Sequence, residues 1–152
     1  MVYLLEHSRV TAQHDTGYGR NFHIFYWILD GLKSQNRLKE FHLEASKCYK
    51  IIGPIYDTEV YTEKFDKVIV GFKLIGFRDA DINEIFKIIA AVILLGELEF
   101  IDVINDDSTN GSKITNTTLV NNIASLLSID VNDFILSLCT STVASRGEMV
   151  CK

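Results

Sequence analysis

The sequence predicts a mainly α-helical fold with short, marginal strands at both ends, and two observations support this. Apolar residues recur at the i, i+3, i+4, i+7 spacing of an amphipathic helix in several separate segments. The alternation typical of strands is confined to short stretches. A chain of 152 residues is also long enough to bury a hydrophobic core.

Two helices are predicted in the first half of the chain, at about 20–32 and 59–75. Between them we expect a short helical turn near Leu38–Phe41 and irregular structure elsewhere. Asp57 or Thr58 is the expected N-cap of the second helix, and Gly76 is expected to end it because glycine readily adopts the left-handed conformation found after helices.

A third helix is predicted at 79–96, capped by Asp79. Residues 88–95 form the longest unbroken apolar run and present apolar side chains on every side of the helix. We therefore expect this helix to be the most buried element. The run is too short to span a bilayer, which needs about 20 residues.

Five further features are predicted after residue 96. We expect a short strand at 98–103, a solvated loop over the polar segment 105–118, and a helix carrying Leu119, Ile123 and Leu126. Asp130 should start a last helix, with Asp133 three residues later as in a capping box. The end of the chain, 142–152, is typical of a hairpin with a short second strand.

Composition excludes several classes of protein. Hydrophobic residues make up 47% of the chain and charged residues 23%, as in folded globular proteins. The net charge of −5 and the lack of a basic cluster argue against nucleic acid as a partner. No secretory signal is recognisable, and three widely spaced cysteines suit reduced thiols, so we expect a cytoplasmic protein without a membrane span.

No self-contained catalytic, cofactor or metal site is predicted. A phosphate-binding loop needs glycines followed by Lys and Ser/Thr, and no Gly-Lys-Ser/Thr occurs. The only Gly-x-Gly, at Gly17 and Gly19, is expected to be a turn. The four histidines lack ligands at metal-binding spacing, and surface or packing roles are favoured for them.

Three ordered motifs resemble the myosin head family. They are Tyr-Leu-Leu-Glu-His-Ser-Arg-Val at 3–10, Gly-Arg-Asn-Phe-His-Ile-Phe-Tyr at 19–26, and Ile-Phe-Lys-Ile-Ile-Ala-Ala-Val at 85–92, which continues to Leu95-Gly96. Arg146-Gly147-Glu148 is similar to a fourth motif, and its position after a short helix is most similar to class III or a related unconventional class. His7, Gly19 and Glu97 stand where the family usually has Lys, Glu and Asn.

The resemblance implies a helical subdomain of a P-loop motor head, covering 1–152 as part of the upper actin-cleft (upper fifty-kilodalton) subdomain. A transducer strand is implied near 3–6. The phosphate loop, switch regions, converter and lever arm are expected outside this chain, so MgATP is implied for the parent and the chain alone is expected to be inactive as an ATPase. Implied partners are the actin filament and the remainder of the myosin head.

Two actin-facing loops are also implied by the resemblance. The segment 105–118 is similar to loop 4, and 142–152 is similar to the base of the cardiomyopathy loop. The residues expected to face actin are Asp106, Asp107, Lys113, Ser145, Arg146, Gly147 and Glu148. From composition alone, the first of these loops would be a plain linker.

Two function classes remain open on the sequence. The first is a fragment of an actin-based, ATP-driven cytoskeletal motor, located with the myosin complex on the cytoskeleton. The second is a non-motor helical module derived from a myosin head that binds actin or another protein statically. The coding sequence on either side would distinguish them, because motor segments on both sides favour the first.

Overall fold

A computed structural model describes residues 21–53, 61–104 and 111–140. For residues 110, 142–145 and 148–151 it describes the backbone alone. The described part is mainly α-helical, as predicted, and forms two compact units, Met1–Glu97 and Leu98–Lys152. The predicted strand near 3–6 and the candidate caps Asp57 and Thr58 lie outside the described residues. In the described part, no single helix is long and apolar enough to span a membrane; the adjacent helices Thr117–Leu127 and Val131–Cys139 pass that test only as a pair bent by 114°.

In the residues that the structure describes, the first unit contains three α-helices and a 3-10 turn. These are α1 at His23–Ser34, the 3-10 turn at Leu38–Phe41, α2 at Thr62–Leu74 and α3 at Asp79–Leu95. The predicted bounds of these helices hold within three residues. Arg78 rather than Asp79 precedes α3, and the Asp81 carboxylate accepts a 2.9 Å hydrogen bond from the Arg78 backbone N–H.

Aromatic rings fill the core of this unit. Phe86 of α3 lies 5.3 Å from Phe65 of α2 and 6.4 Å from Phe41 of the 3-10 turn, measured between ring centroids. Phe65 also packs against Gly31 of α1, where a Cβ atom would overlap its ring. Each of the four elements therefore contributes to one cluster, and the missing side chain of Gly31 allows α1 and α2 to approach closely.

Helix α3 buries one face rather than its whole circumference. Six of its residues are buried, whereas Ile88 is 54% exposed. The expectation of all-round burial over 88–95 was therefore wrong at this position. The apolar run is wider than the surface that α1, α2 and the 3-10 turn cover.

Helix α2 ends just before Gly76, as predicted. Gly76 has φ of +97°, its N–H donates to the Lys73 carbonyl, and the Phe77 N–H donates to the Phe72 carbonyl. Those two bonds form a Schellman motif, and the Phe72 and Phe77 rings pack edge to face at 5.4 Å.

Side chains tie the long connection between α1 and α2 to the helices. Asn21 Nδ2 donates to the Ile51 carbonyl, and the Tyr26 hydroxyl donates to the Ile52 carbonyl. The Asp30 carboxylate accepts a 2.6 Å hydrogen bond from the Tyr61 N–H, directly before α2. That bond supplies an acceptor to the start of a helix that has no side-chain cap of its own.

The described part of the second unit contains two antiparallel hairpins and two helices. The hairpins pair β1 (Phe100–Ile104) with β2 (Asn110–Ile114) and β3 (Thr142–Ser145) with β4 (Glu148–Cys151); the helices are α4 (Thr117–Leu127) and α5 (Val131–Cys139). The predicted C-terminal hairpin is confirmed. Asp130 caps α5 as predicted, accepting hydrogen bonds from the N–H groups of Asn132 and Asp133.

One prediction in this unit was wrong. The segment 105–118 was expected to be a solvated loop, yet 110–114 form β2 and α4 begins at Thr117. Pairing with β1 satisfies the backbone of this polar strand, and its last residue, Ile114, is buried.

Candidate functional site

The first candidate hairpin holds Lys113 at a defined position. Lys113 of β2 lies directly opposite Ile101 of β1, and its side chain is exposed. Asp106 and Asp107 lie in the segment that joins the strands, outside the described residues. The structure thus gives a position for one of the three residues predicted here.

The base of this hairpin is closed by hydrogen bonds beyond the strands. The Thr115 N–H donates to the Glu99 carbonyl at 3.0 Å, and the Glu99 N–H donates to Asn116 Oδ1 at 3.2 Å. Asn116 also directly precedes α4. The open end of the hairpin is therefore tied to the start of a helix, which fixes the register in which β2 presents Lys113.

The second candidate hairpin places two of the predicted residues opposite each other. Ser145 ends β3 and pairs with Glu148, the first residue of β4. Arg146 and Gly147 lie between them, outside the described residues. The backbone register therefore gives a position for two of the four predicted residues, Ser145 and Glu148, at one end of the paired strands.

The buried carboxylate of Glu97 anchors a loop of the first unit, and the sequence did not predict this role. Glu97, noted only as a departure from the family, is 8% exposed. Its Oε1 accepts a 2.6 Å hydrogen bond from the Lys50 N–H, and its Oε2 lies 3.3 Å from Lys47 Nζ. A buried carboxylate at the end of an apolar helix needs such partners, but sequence spacing does not reveal residues 47 and 50 positions away.

The segment held by Glu97 also forms one side of a small cavity. Its volume is about 290 Å³, and Lys47, Cys48 and Tyr49 are among the residues that line it. Burial raises the pKa of the Tyr49 hydroxyl above its ordinary value, and the nearby Glu44 and Glu97 carboxylates act in the same direction. The Glu44 N–H, which donates to this hydroxyl at 2.8 Å, partly opposes the rise.

Comparison with known proteins decides the family. The profile described as "Myosin head (motor domain)" matches residues 1–152, the whole chain. The chain belongs to the myosin head family. This agrees with the motifs at 19–26 and 85–92; residues 23–26 of the first lie in α1, and the second lies within α3.

Individual myosins match along nearly the whole chain. It is 32% identical to myosin-IIIb of Mus musculus over 97% of its length, and 32% identical to myosin-IIIa of Homo sapiens over the same share. Myosin ID heavy chain of Dictyostelium discoideum is 35% identical over 94% of the chain. The chain spans only 12%, 10% and 13% of these three relatives, respectively.

Proposed function

We propose that this chain is a part of an actin-based motor head, from the upper jaw of its actin-binding cleft, and that its two hairpins face the filament. The observation that supports this most strongly is the match to the motor domain over residues 1–152. The hairpin register adds to it, because Ser145 and Glu148 flank the turn end of one hairpin and Lys113 lies on a strand of the other.

The proposed contact is electrostatic at both hairpins. The actin surface that myosin heads bind is largely acidic. Lys113 and Arg146 would therefore be attracted to it, whereas Asp106 and Asp107 would need basic partners on actin. Exposed charges of this kind mainly steer association and set its salt dependence.

Binding by the chain alone should be weak. A standard specific interface buries about 1,200 to 2,000 Å² in total, and filament binding in the family uses both jaws of the cleft. One jaw with two hairpins would fall below that range. Because this chain has no Gly-Lys-Ser/Thr, ATP would be bound with Mg²⁺ and hydrolysed in other parts of the parent, and this chain would link actin to the transducer in the cytoplasm.

Cosedimentation of the chain with actin filaments tests the proposal. We expect weak binding that decreases as salt is raised, and a larger loss with Arg146→Glu than with Asp106→Ala, because charge reversal adds repulsion whereas truncation only removes a contact. Lys39→Glu is the matched control: Lys39 is an exposed residue of the 3-10 turn in the other unit, and the net charge changes equally.

Two results would overturn the proposal. Tight binding that salt leaves unchanged would mean that the hairpin charges are not the contact. Equal binding by Arg146→Glu, Lys39→Glu and the unchanged chain would leave the hairpins as linkers between helices.

A further inference from the structure

The outer edge of β1 differs from the rest of the second unit. β1 pairs with β2 on one side, and the structure describes no strand on its other side. β2 is covered, since α5 contacts it and Ile114 is buried. In a two-stranded sheet, backbone N–H and C=O groups along the outer edge of β1 point away from β2 and can pair with another extended segment.

The side chains of β1 are unusual for an edge strand. Phe100 and Ile101 are each 49% exposed, and Ile104 is 79% exposed. Natural edges are commonly protected by short length, charged side chains, Pro or a bulge; β1 has five residues and one charge, Asp102, but no Lys or Pro, and it pairs with β2 without a bulge. Its aromatic and β-branched residues instead favour further strand pairing.

The charge of Asp102 determines which kind of segment would pair with the outer edge of β1. Asp102, in the middle of β1, is exposed opposite Ser112, and no ion pair between described residues includes it. Phe100 and Ile104 share its face of the strand because side chains alternate. A third strand would therefore place one residue beside Asp102 and two residues beside apolar side chains on that face.

We infer that the edge of β1 is a docking site for an extended, basic peptide segment of a partner protein, added as a third strand. Backbone hydrogen bonds supply the affinity, and a Lys or Arg beside Asp102, flanked at alternate positions by apolar residues, supplies the specificity. A second copy of β1 in the centred antiparallel register fits less well, because it would place Asp102 against Asp102. β1 belongs to the same hairpin as Lys113, which lies opposite Ile101, so the two proposals concern different residues of one hairpin.

A pair of labelled peptides tests the site on the whole chain by fluorescence anisotropy. The probe Thr-Val-Thr-Lys-Thr-Val-Thr should bind roughly threefold to tenfold more tightly than the same peptide with Glu in place of Lys, given the energies of cross-strand charge pairs. Amide exchange in β1 should slow when the Lys peptide binds, because its edge groups become paired.

Charge exchange makes the test independent of folding losses. Asp102→Lys should reverse the order and favour the Glu peptide, a gain that an unfolded variant cannot imitate. Asp66→Lys, an exposed position on α2, should leave the order unchanged. The inference is overturned if neither peptide binds, if Asp102→Lys leaves the order unchanged, or if ultracentrifugation shows a dimer that excludes the peptides.

Discussion

At the scale of single residues, Gly31 determines how closely α1 and α2 pack. A Cβ atom at this position would overlap the Phe65 ring, which is fully buried between the helices. Gly71, in α2, has nothing within 4 Å of the same hypothetical atom. The two helical glycines are therefore opposite cases, one required by packing and one replaceable.

We expect Gly31→Ala to lower the free energy of unfolding by about 1 to 3 kcal/mol, the usual cost of overpacking a core. Gly71→Ala should raise it by about 0.4 to 1 kcal/mol, because alanine restricts the unfolded chain and favours helix. Urea unfolding of both variants measures this. Equal effects at the two positions would contradict the close approach.

The buried phenol of Tyr49 should make the free energy of unfolding depend on pH in the alkaline range. The pKa of Tyr49 is raised in the folded chain, chiefly by burial, so the folded state holds this proton more tightly than the unfolded state. Its contribution is complete below the unfolded pKa of about 10 and is lost as pH rises through the folded pKa.

The free energy of unfolding should therefore fall above about pH 10, and less steeply in Tyr49→Phe, which has no proton to lose at this position. Every other residue is the same in both proteins, so the difference between the two isolates Tyr49. Urea titrations at several alkaline pH values provide the measurement. Identical slopes in the two proteins would contradict the role of burial.

At the scale of elements, α3 contains a matched pair of positions for testing burial. Leu94 is 2% exposed and Ile88 is 54% exposed on the same helix. Burying an unpaired carboxylate costs several kcal/mol, against a total stability of roughly 5 to 15 kcal/mol for a domain. The same charge should therefore have very different effects at these two positions.

Leu94→Asp should unfold the first unit, whereas Ile88→Asp should fold with a loss of about 1 kcal/mol or less. Circular dichroism and amide exchange across α1, α2 and α3 distinguish these outcomes. If Ile88→Asp also unfolds this unit, residues 88–95 are packed on every side, and the sequence prediction was right after all.

The helices were predictable from sequence because their signals are local. Apolar spacing located α1, α2 and α3, and local residues such as Gly76 and Asp130 marked a helix end and a helix start. β2 was missed because its sequence, Asn-Gly-Ser-Lys-Ile, has no apolar alternation. Its structure comes from a partner strand, and pairing between strands is not encoded in either strand alone.

The candidate site was predictable only in part, for a similar reason. Turn residues predicted the C-terminal hairpin, whereas the family resemblance identified 105–118 only as a loop; strand pairing then placed Lys113 opposite Ile101. The anchor around Glu97 was missed because its partners, Lys47 and the Lys50 N–H, are distant in sequence. The actin-facing roles of these hairpin residues stay a prediction.

At the scale of the whole molecule, the chain should bind MgATP no better than a non-specific protein. It lacks Gly-Lys-Ser/Thr, and catalysis of phosphoryl transfer depends on positioning the phosphates and Mg²⁺. Titration calorimetry with MgATP measures this, and a myosin head that contains the phosphate loop serves as the positive control. A saturable site of micromolar affinity in the chain alone would instead support an enzyme.

The long connection between α1 and α2 is held by bonds that end on backbone atoms. The carbonyls of Ile51 and Ile52 and the N–H groups of Lys50 and Tyr61 are the groups bound there. Any residue supplies such a carbonyl, and any residue except proline supplies such an N–H. The specificity of these contacts therefore lies in the side chains that bind the backbone groups, namely Asn21, Tyr26, Asp30 and Glu97. Mutational tolerance should follow this asymmetry: as far as these hydrogen bonds are concerned, the held residues are free to vary, whereas the four holding residues are not.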